Sequence, residues 1–153
     1  MKRRALRVAA LAVSLGLLAL PARAADDFSL RSFFAGHSVS GGEIRTLGLF
    51  RERFTARFEG QAKGDALDLD ERFRFEDGPR LQRWHLVERG GRVAGTVETE
   101  DGEGKLQGPF PVSGTSGPDG AVLAYRGIAP GGGRWRFDFR HTITPRADGT
   151  AGN

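Results

Sequence analysis

From Leu67 to Phe75 the chain alternates without a break. Leu67, Leu69, Glu71, Phe73 and Phe75 fall on one side, and Asp68, Asp70, Arg72 and Arg74 fall on the other. A period of two is that of a strand with one face buried and one in water. The pattern returns in Phe54, Ala56 and Phe58 against Thr55, Arg57 and Glu59, in Val93, Gly95 and Val97, and from Val122 to Ile128. It returns last in Trp135, Phe137 and Phe139 against Arg134, Arg136, Asp138 and Arg140, which places a final strand over Trp135 to Thr144. Lys105 to Val112 is weaker. Pro109 and Pro111 have no N–H for a ladder, so the segment reads as an edge or irregular strand. Glycine punctuates these runs at Gly41-Gly42, Asp77-Gly78, Gly90-Gly91, Asp101-Gly102, Asp119-Gly120, Gly131-Gly132-Gly133 and Asp148-Gly149. Short alternating strands with turn signals between them predict an all-β fold, an antiparallel up-and-down meander rolled into a barrel or half-barrel.

Two local details sharpen that picture. Glu76-Asp77-Gly78-Pro79 reads as a tight turn. With Asp77-Gly78 as the loop, Phe73 faces Gln82, Glu71 faces Trp84 and Leu69 faces Leu86. Near the start, Phe28, Leu30, Phe33 and Phe34 have the spacing of a short helical turn, expected as a plug at one end of the sheet.

The first 24 residues break the β pattern. Lys2, Arg3, Arg4 and Arg7 precede a 13-residue uncharged run from Val8 to Leu20, closed by Pro21-Ala22-Arg23-Ala24. This is the layout of a Sec-type signal peptide, with cleavage expected between Ala24 and Ala25 and a single β domain over residues 25–153. The run is short of the roughly 20 residues a membrane-spanning helix needs, so no transmembrane span is expected in the mature chain. A periplasmic or secreted location follows. Five of the 23 Lys and Arg leave with the signal, and all 19 Asp and Glu remain, so the mature chain sits at −1. Without a net positive field, nucleic acid is not an expected partner. The chain has no cysteine, which removes disulfides and any N-terminal lipid anchor on Cys.

Candidate chemistry is sparse. Glu71 is an acid on a face otherwise made of Leu67, Leu69, Phe73 and Phe75, so it must be paired, hydrated or protonated. It reads either as a polar anchor in a ligand cavity or as a structural group bonded to Gln82, the Trp84 indole or an arginine. Glu71, Phe73, Trp84, Tyr125 and Trp135 are the candidate lining of a ligand site, against the alternative that the aromatics are simply core. His37, His85 and His141 have no metal-ligand spacing, and Asp68-Leu69-Asp70-Glu71 lacks the central glycine of a calcium loop, so neither metal nor cofactor is expected. Glu98 to Glu103 reads as an acidic exposed turn. Glu71 has no second catalytic group and no nucleophile motif is present, which points away from an enzyme.

Taken together, Phe33-Phe34-x-Gly36, Arg53-Phe54, Leu67-x-Leu69-x-Glu71-x-Phe73-x-Phe75-x-Asp77-Gly78 and Arg83-Trp84 resemble a family of exported proteobacterial proteins known as a domain of unknown function, with lipoprotein-like members. The resemblance runs from about Asp27 to the end of the chain. It implies a lipocalin-like (calycin-type) β-barrel or half-barrel in the cell envelope and carries no activity with it. Two departures stand out. This chain has no lipidation cysteine and is expected to be soluble. Relatives continue into a further strand where this chain ends, so the barrel is expected to be incomplete at its C-terminal edge.

Two functional readings stay open. One is a non-enzymatic binder of a lipid or other apolar or amphipathic small molecule. The other is an envelope structural or interaction module with a solid core and a partner-recruiting sheet edge. A cavity above roughly 300 Å³ lined by Phe73, Trp84 and Tyr125 favours the first. The tail after Thr144 lacks any large apolar group, so the last strand is expected to keep an open edge, giving a strand-paired oligomer or marginal stability alone.

Overall fold

A computed structural model describes residues 28–46, 50–146 and 151–152, with side chains over 28–40 and 53–146. The expected signal peptide, the Ala24–Ala25 cleavage and the Asp148-Gly149 turn lie outside the described residues. The chain forms α1 (Leu30–Phe34), then β1 (Gly36–Thr46), β2 (Phe50–Lys63), β3 (Ala66–Phe75), β4 (Gly78–Arg89) and β5 (Arg92–Glu100). It continues through β6 (Leu106–Gly117), β7 (Gly120–Gly127), β8 (Phe137–Pro145) and a two-residue β9 (Ala151–Gly152). Each strand pairs antiparallel with the next, in the spatial order of the sequence. The first eight make an open half-barrel, and among the described residues β1 does not pair with β8.

The alternation that defines each strand also sorts its side chains. In β3, Leu67, Leu69, Glu71, Phe73 and Phe75 are all buried, while Asp68, Arg72 and Arg74 are exposed. Trp84 on β4 meets the Tyr125 ring of β7 edge-on at 5.4 Å and the His141 ring of β8 at 5.6 Å. Strands three and four places apart therefore touch across the interior, and the sheet is rolled far enough to bury its own inner face. The helical plug is present as expected. Leu30 and Phe34 turn into the core beneath β2 and β3. Gly60 of β2 makes room for it, because a Cβ there would overlap the Phe34 carbonyl oxygen. A second aromatic cluster, Phe54, Phe73 and Phe75, fills another part of the inner face, with ring centroids 5.4–5.7 Å apart.

Several expectations need correction. The β3–β4 register is displaced by two residues. Phe75 pairs with Gly78, so Glu76-Asp77 form the loop, and Glu71 lies opposite Gln82 while Leu69 lies opposite Trp84. Gly78 takes φ +129 at the closing pair, a conformation open to glycine. A shift of two preserves every side-chain face, which is why the face assignment survived an incorrect turn. Gly41-Gly42 is not a turn but lies inside β1. The Lys105–Val112 segment is irregular and one-sided as expected, with a register shift opposite it at Val97/Thr99, but it is the first part of a longer strand, β6, that runs on to Gly117 between β5 and β7. Its prolines are tolerated because pairing with β7 begins only at Val112, leaving Pro109 and Pro111 on a stretch with a neighbour on one side. The last long strand starts at Phe137, so Trp135 escapes the pleat and is 82% exposed. The tail also does more than expected, since Ala151 and Gly152 return to pair with Pro145 and Thr144.

Candidate functional site

Adjacent strands carry a polar row across the inner face. Glu71 of β3 is the Cα partner of Gln82 of β4, which is the partner of Thr99 of β5. All three are buried. Gln82 Nε2 donates to Thr99 Oγ1 at 2.9 Å and to the Tyr125 hydroxyl at 3.0 Å, tying β4 to β5 and to β7 across the interior. The Trp84 indole N–H donates diagonally to Glu71 Oε2 at 3.1 Å. Burial pushes the Glu71 carboxyl up to about 8, only partly offset by the Trp84 bond. At neutral pH it is therefore mainly a protonated acid, able to donate a hydrogen bond. Burial likewise raises the Tyr125 hydroxyl, against the Gln82 bond, and a charged Glu71 adds to that rise. Burial lowers His141, which stacks on Tyr125 at 5.7 Å, so its ring stays neutral. A neutral acid, a neutral imidazole and a phenol held by an amide form a locked network, with no charged nucleophile or base among them.

A second interior acid, Glu88 of β4, went unremarked in the sequence. Ser29 donates to its Oε2 at 2.8 Å, the Arg31 backbone N–H lies 3.4 Å from the same oxygen, and the Ser116 hydroxyl donates to Oε1. The Arg31 guanidinium sits 3.5 Å away. Burial opposes the charge on Glu88, but bonds from Ser116, Ser29 and the Arg31 and Leu30 amides outweigh it and lower the pKa. Glu88 thus takes the place of an N-cap for α1, whose own cap residue Ser29 makes no side-chain bond to the helix. The sequence signal was available, because Glu88 follows Trp84 and Leu86 on the inward alternation. The donors were not, because Ser29 and Ser116 are 59 and 28 residues away.

Of the five candidate ligand residues, Glu71, Phe73, Trp84 and Tyr125 all face the interior, each 8% exposed or less. Trp135 stands apart from them on the surface. Two clefts open on the outside. One, of about 400 Å³, lies over the outer face of β2 to β5 beside the Asp70–Arg83 and Asp68–His85 pairs, at 2.8 and 2.7 Å. The other, of about 950 Å³, runs between the β5–β6 turn and the β7–β8 connector. Neither is lined by Phe73, Trp84 or Tyr125. Among the described residues no cluster of three or more His, Cys, Asp or Glu could hold a metal ion, and no helix is long and apolar enough to cross a membrane.

A family model described as "Protein of unknown function (DUF3833)" matches residues 14–109 of the chain. That span holds α1, both interior glutamates, Gln82, Trp84 and Thr99, and stops before Tyr125, Trp135 and His141. No curated protein and no solved structure matches the chain.

Proposed function

The chain belongs to the DUF3833 family of proteins of unknown function, and from that footing we propose that it is an exported, non-enzymatic interaction module whose solid half-barrel presents the open edge of β8 to a partner strand. Export rests on the basic start, the short apolar run and the Ala22-Arg23-Ala24 boundary. The observation that carries the module reading is the packing of the interior. Glu71, Phe73, Trp84 and Tyr125, the residues a ligand would have to touch, are 8%, 6%, 3% and 5% exposed; Trp84 is bonded to Glu71 and packed on Tyr125, and Phe73 is packed on Phe54 and Phe75. An interior this full leaves its contacts to the surface. Beyond β7, the ladder along Phe137–Ile143 meets no further strand among the described residues, and β9 covers only Thr144 and Pro145. Unpaired backbone donors and acceptors on such an edge are a template for another strand.

Light scattering on a size-exclusion column, combined with amide hydrogen exchange, tests this. We expect self-association or partner capture to slow exchange at the alternate amides of Phe137–Ile143 that point away from β7, and dilute monomer to exchange those amides quickly. A stable monomer with protected amides along that whole stretch would refute the edge reading. The small-molecule reading draws on Phe58, Phe139 and Ile143, which are only partly buried where they pack against the core. Native mass spectrometry of protein purified from its own cell envelope tests it, with a co-purifying lipid as the supporting result.

A further inference from the structure

The β7–β8 connector is pinned at its start and bare at its end. Ile128 is buried, Gly131 N–H donates to the Glu100 carbonyl at 2.8 Å, and Gly102 N–H donates to the Gly132 carbonyl at 3.0 Å. These bonds hold the loop against the β5–β6 turn. The next residues, Arg134-Trp135-Arg136-Phe137, run out over the surface. Trp135 is 82% exposed and Phe137 53%. A tryptophan this bare has a large apolar area in water with nothing over it, the kind of surface that marks a docking site.

Charge says what the occupant is. Arg134 and Arg136 are exposed, and among the described residues neither pairs with a carboxylate. Arg136 lies over the Phe110 ring at 5.3 Å, a contact that orders its guanidinium without neutralising it. On the facing turn Asp101 accepts from the Glu103 and Lys105 amides and from Gln107, and Glu103 pairs with Lys105 at 3.7 Å, while Asp138 pairs with Arg126 at 3.0 Å. A pinned loop that offers an exposed tryptophan and phenylalanine between two uncompensated arginines matches the boundary zone of a bilayer. There the indole sits at headgroup depth while arginines bind phosphate and keep their heads wet.

We propose that Arg134, Trp135, Arg136 and Phe137 dock the protein on an anionic lipid surface. This does not depend on the β8 edge reading, because vesicle binding and strand pairing are measured separately.

The test uses the full chain and vesicles of phosphatidylethanolamine with phosphatidylglycerol, compared with phosphatidylcholine alone. The chain has two tryptophans, and Trp84 is already buried, so an emission shift to the blue reports Trp135; the N-terminal apolar run carries no tryptophan, and any tethering by it is common to wild type and the arginine variants. We expect the shift with anionic vesicles only, and its loss in Trp135→Phe. Arg134→Gln with Arg136→Gln should weaken partition into anionic vesicles roughly 30-fold. All three positions are exposed, and an unchanged unfolding midpoint confirms that the variants fold. The proposal is overturned by equal binding to both vesicle types, by a shift that survives in Trp135→Phe, or by arginine variants that partition like wild type. It is also overturned if inorganic phosphate binds and blocks the arginines while vesicles do not, which would make this a site for a free anion. Trp135-dependent self-association without vesicle binding would overturn it as well.

Discussion

Glu71 and Glu88 are the same residue type, both on the inner face and both 8% exposed, yet they end in opposite charge states. Glu71 is held neutral with a pKa near 8, and Glu88 is held ionised. Surface exposure therefore does not decide the matter. Glu71 is enclosed deep in the core, Glu88 lies nearer the rim among part-buried partners, and the number of donors widens the difference. Glu71 accepts a side-chain bond from Trp84, whereas Glu88 accepts from two serine hydroxyls and the start of α1, with the Arg31 guanidinium beside it. A single N–H does not replace the water that a carboxylate gives up, and three or four donors do. The two positions do different jobs as a result. The Glu71 row fixes how the strands lie against one another inside the roll. The Glu88 site fastens the plug to β4, so the charge is spent on joining two elements that no ladder connects.

The comparison can be broken most severely at Glu88. Glu88→Ala leaves Ser29, Ser116 and the α1 amides without their acceptor, and should cost roughly 2–4 kcal/mol in urea unfolding. The plug should then be cleaved early in limited proteolysis, and a loss under about 1 kcal/mol would mean that Glu88 does not hold it. Glu71→Ala should cost less, about 1–3 kcal/mol, because it strands one indole N–H and opens a small cavity. An Ala variant as stable as wild type would place Glu71 in contact with water.

The smallest expected effect is the most diagnostic, and it lies in pH. Folded Glu71 keeps its proton where the unfolded chain, with an ordinary value of 4.5, has lost it. Stability from this group is thus greatest at low pH and is lost as pH rises through about 8. His141 works the other way. Its folded pKa is lowered below 6.5, so stability rises with pH up to that value. Glu88 adds a loss as pH falls below its ordinary 4.5. Between pH 6.5 and 8, Glu71 is the shifted group that changes charge, and stability should fall by roughly 1–2 kcal/mol. Glu71→Gln should flatten that slope while keeping the fold. A slope that persists in the Gln variant would assign it to another group.

What could be read in advance follows from the pleat. Alternation is a property of neighbouring residues, so the sequence alone placed most of β2 to β5, β7 and β8, though not β1, sent Leu67, Leu69, Glu71, Phe73 and Phe75 inward, and offered Trp84, beside Gln82 and an arginine, as a partner for Glu71. The helical spacing of Phe28, Leu30, Phe33 and Phe34 likewise marked α1 as the plug. The two-residue slip at Glu76-Asp77 did no harm to these assignments, because the period of a strand is two. Tertiary structure decided everything that depends on residues far apart in the chain. It brought Tyr125 to Gln82 across 43 positions and Ser29 to Glu88 across 59, and so set the charge of each buried acid. It also left Trp135 outside, since the chain enters a pleat only at Phe137. A face is fixed by the residue two places along, whereas a hydrogen-bond donor is supplied by whichever strand the rolled sheet brings opposite.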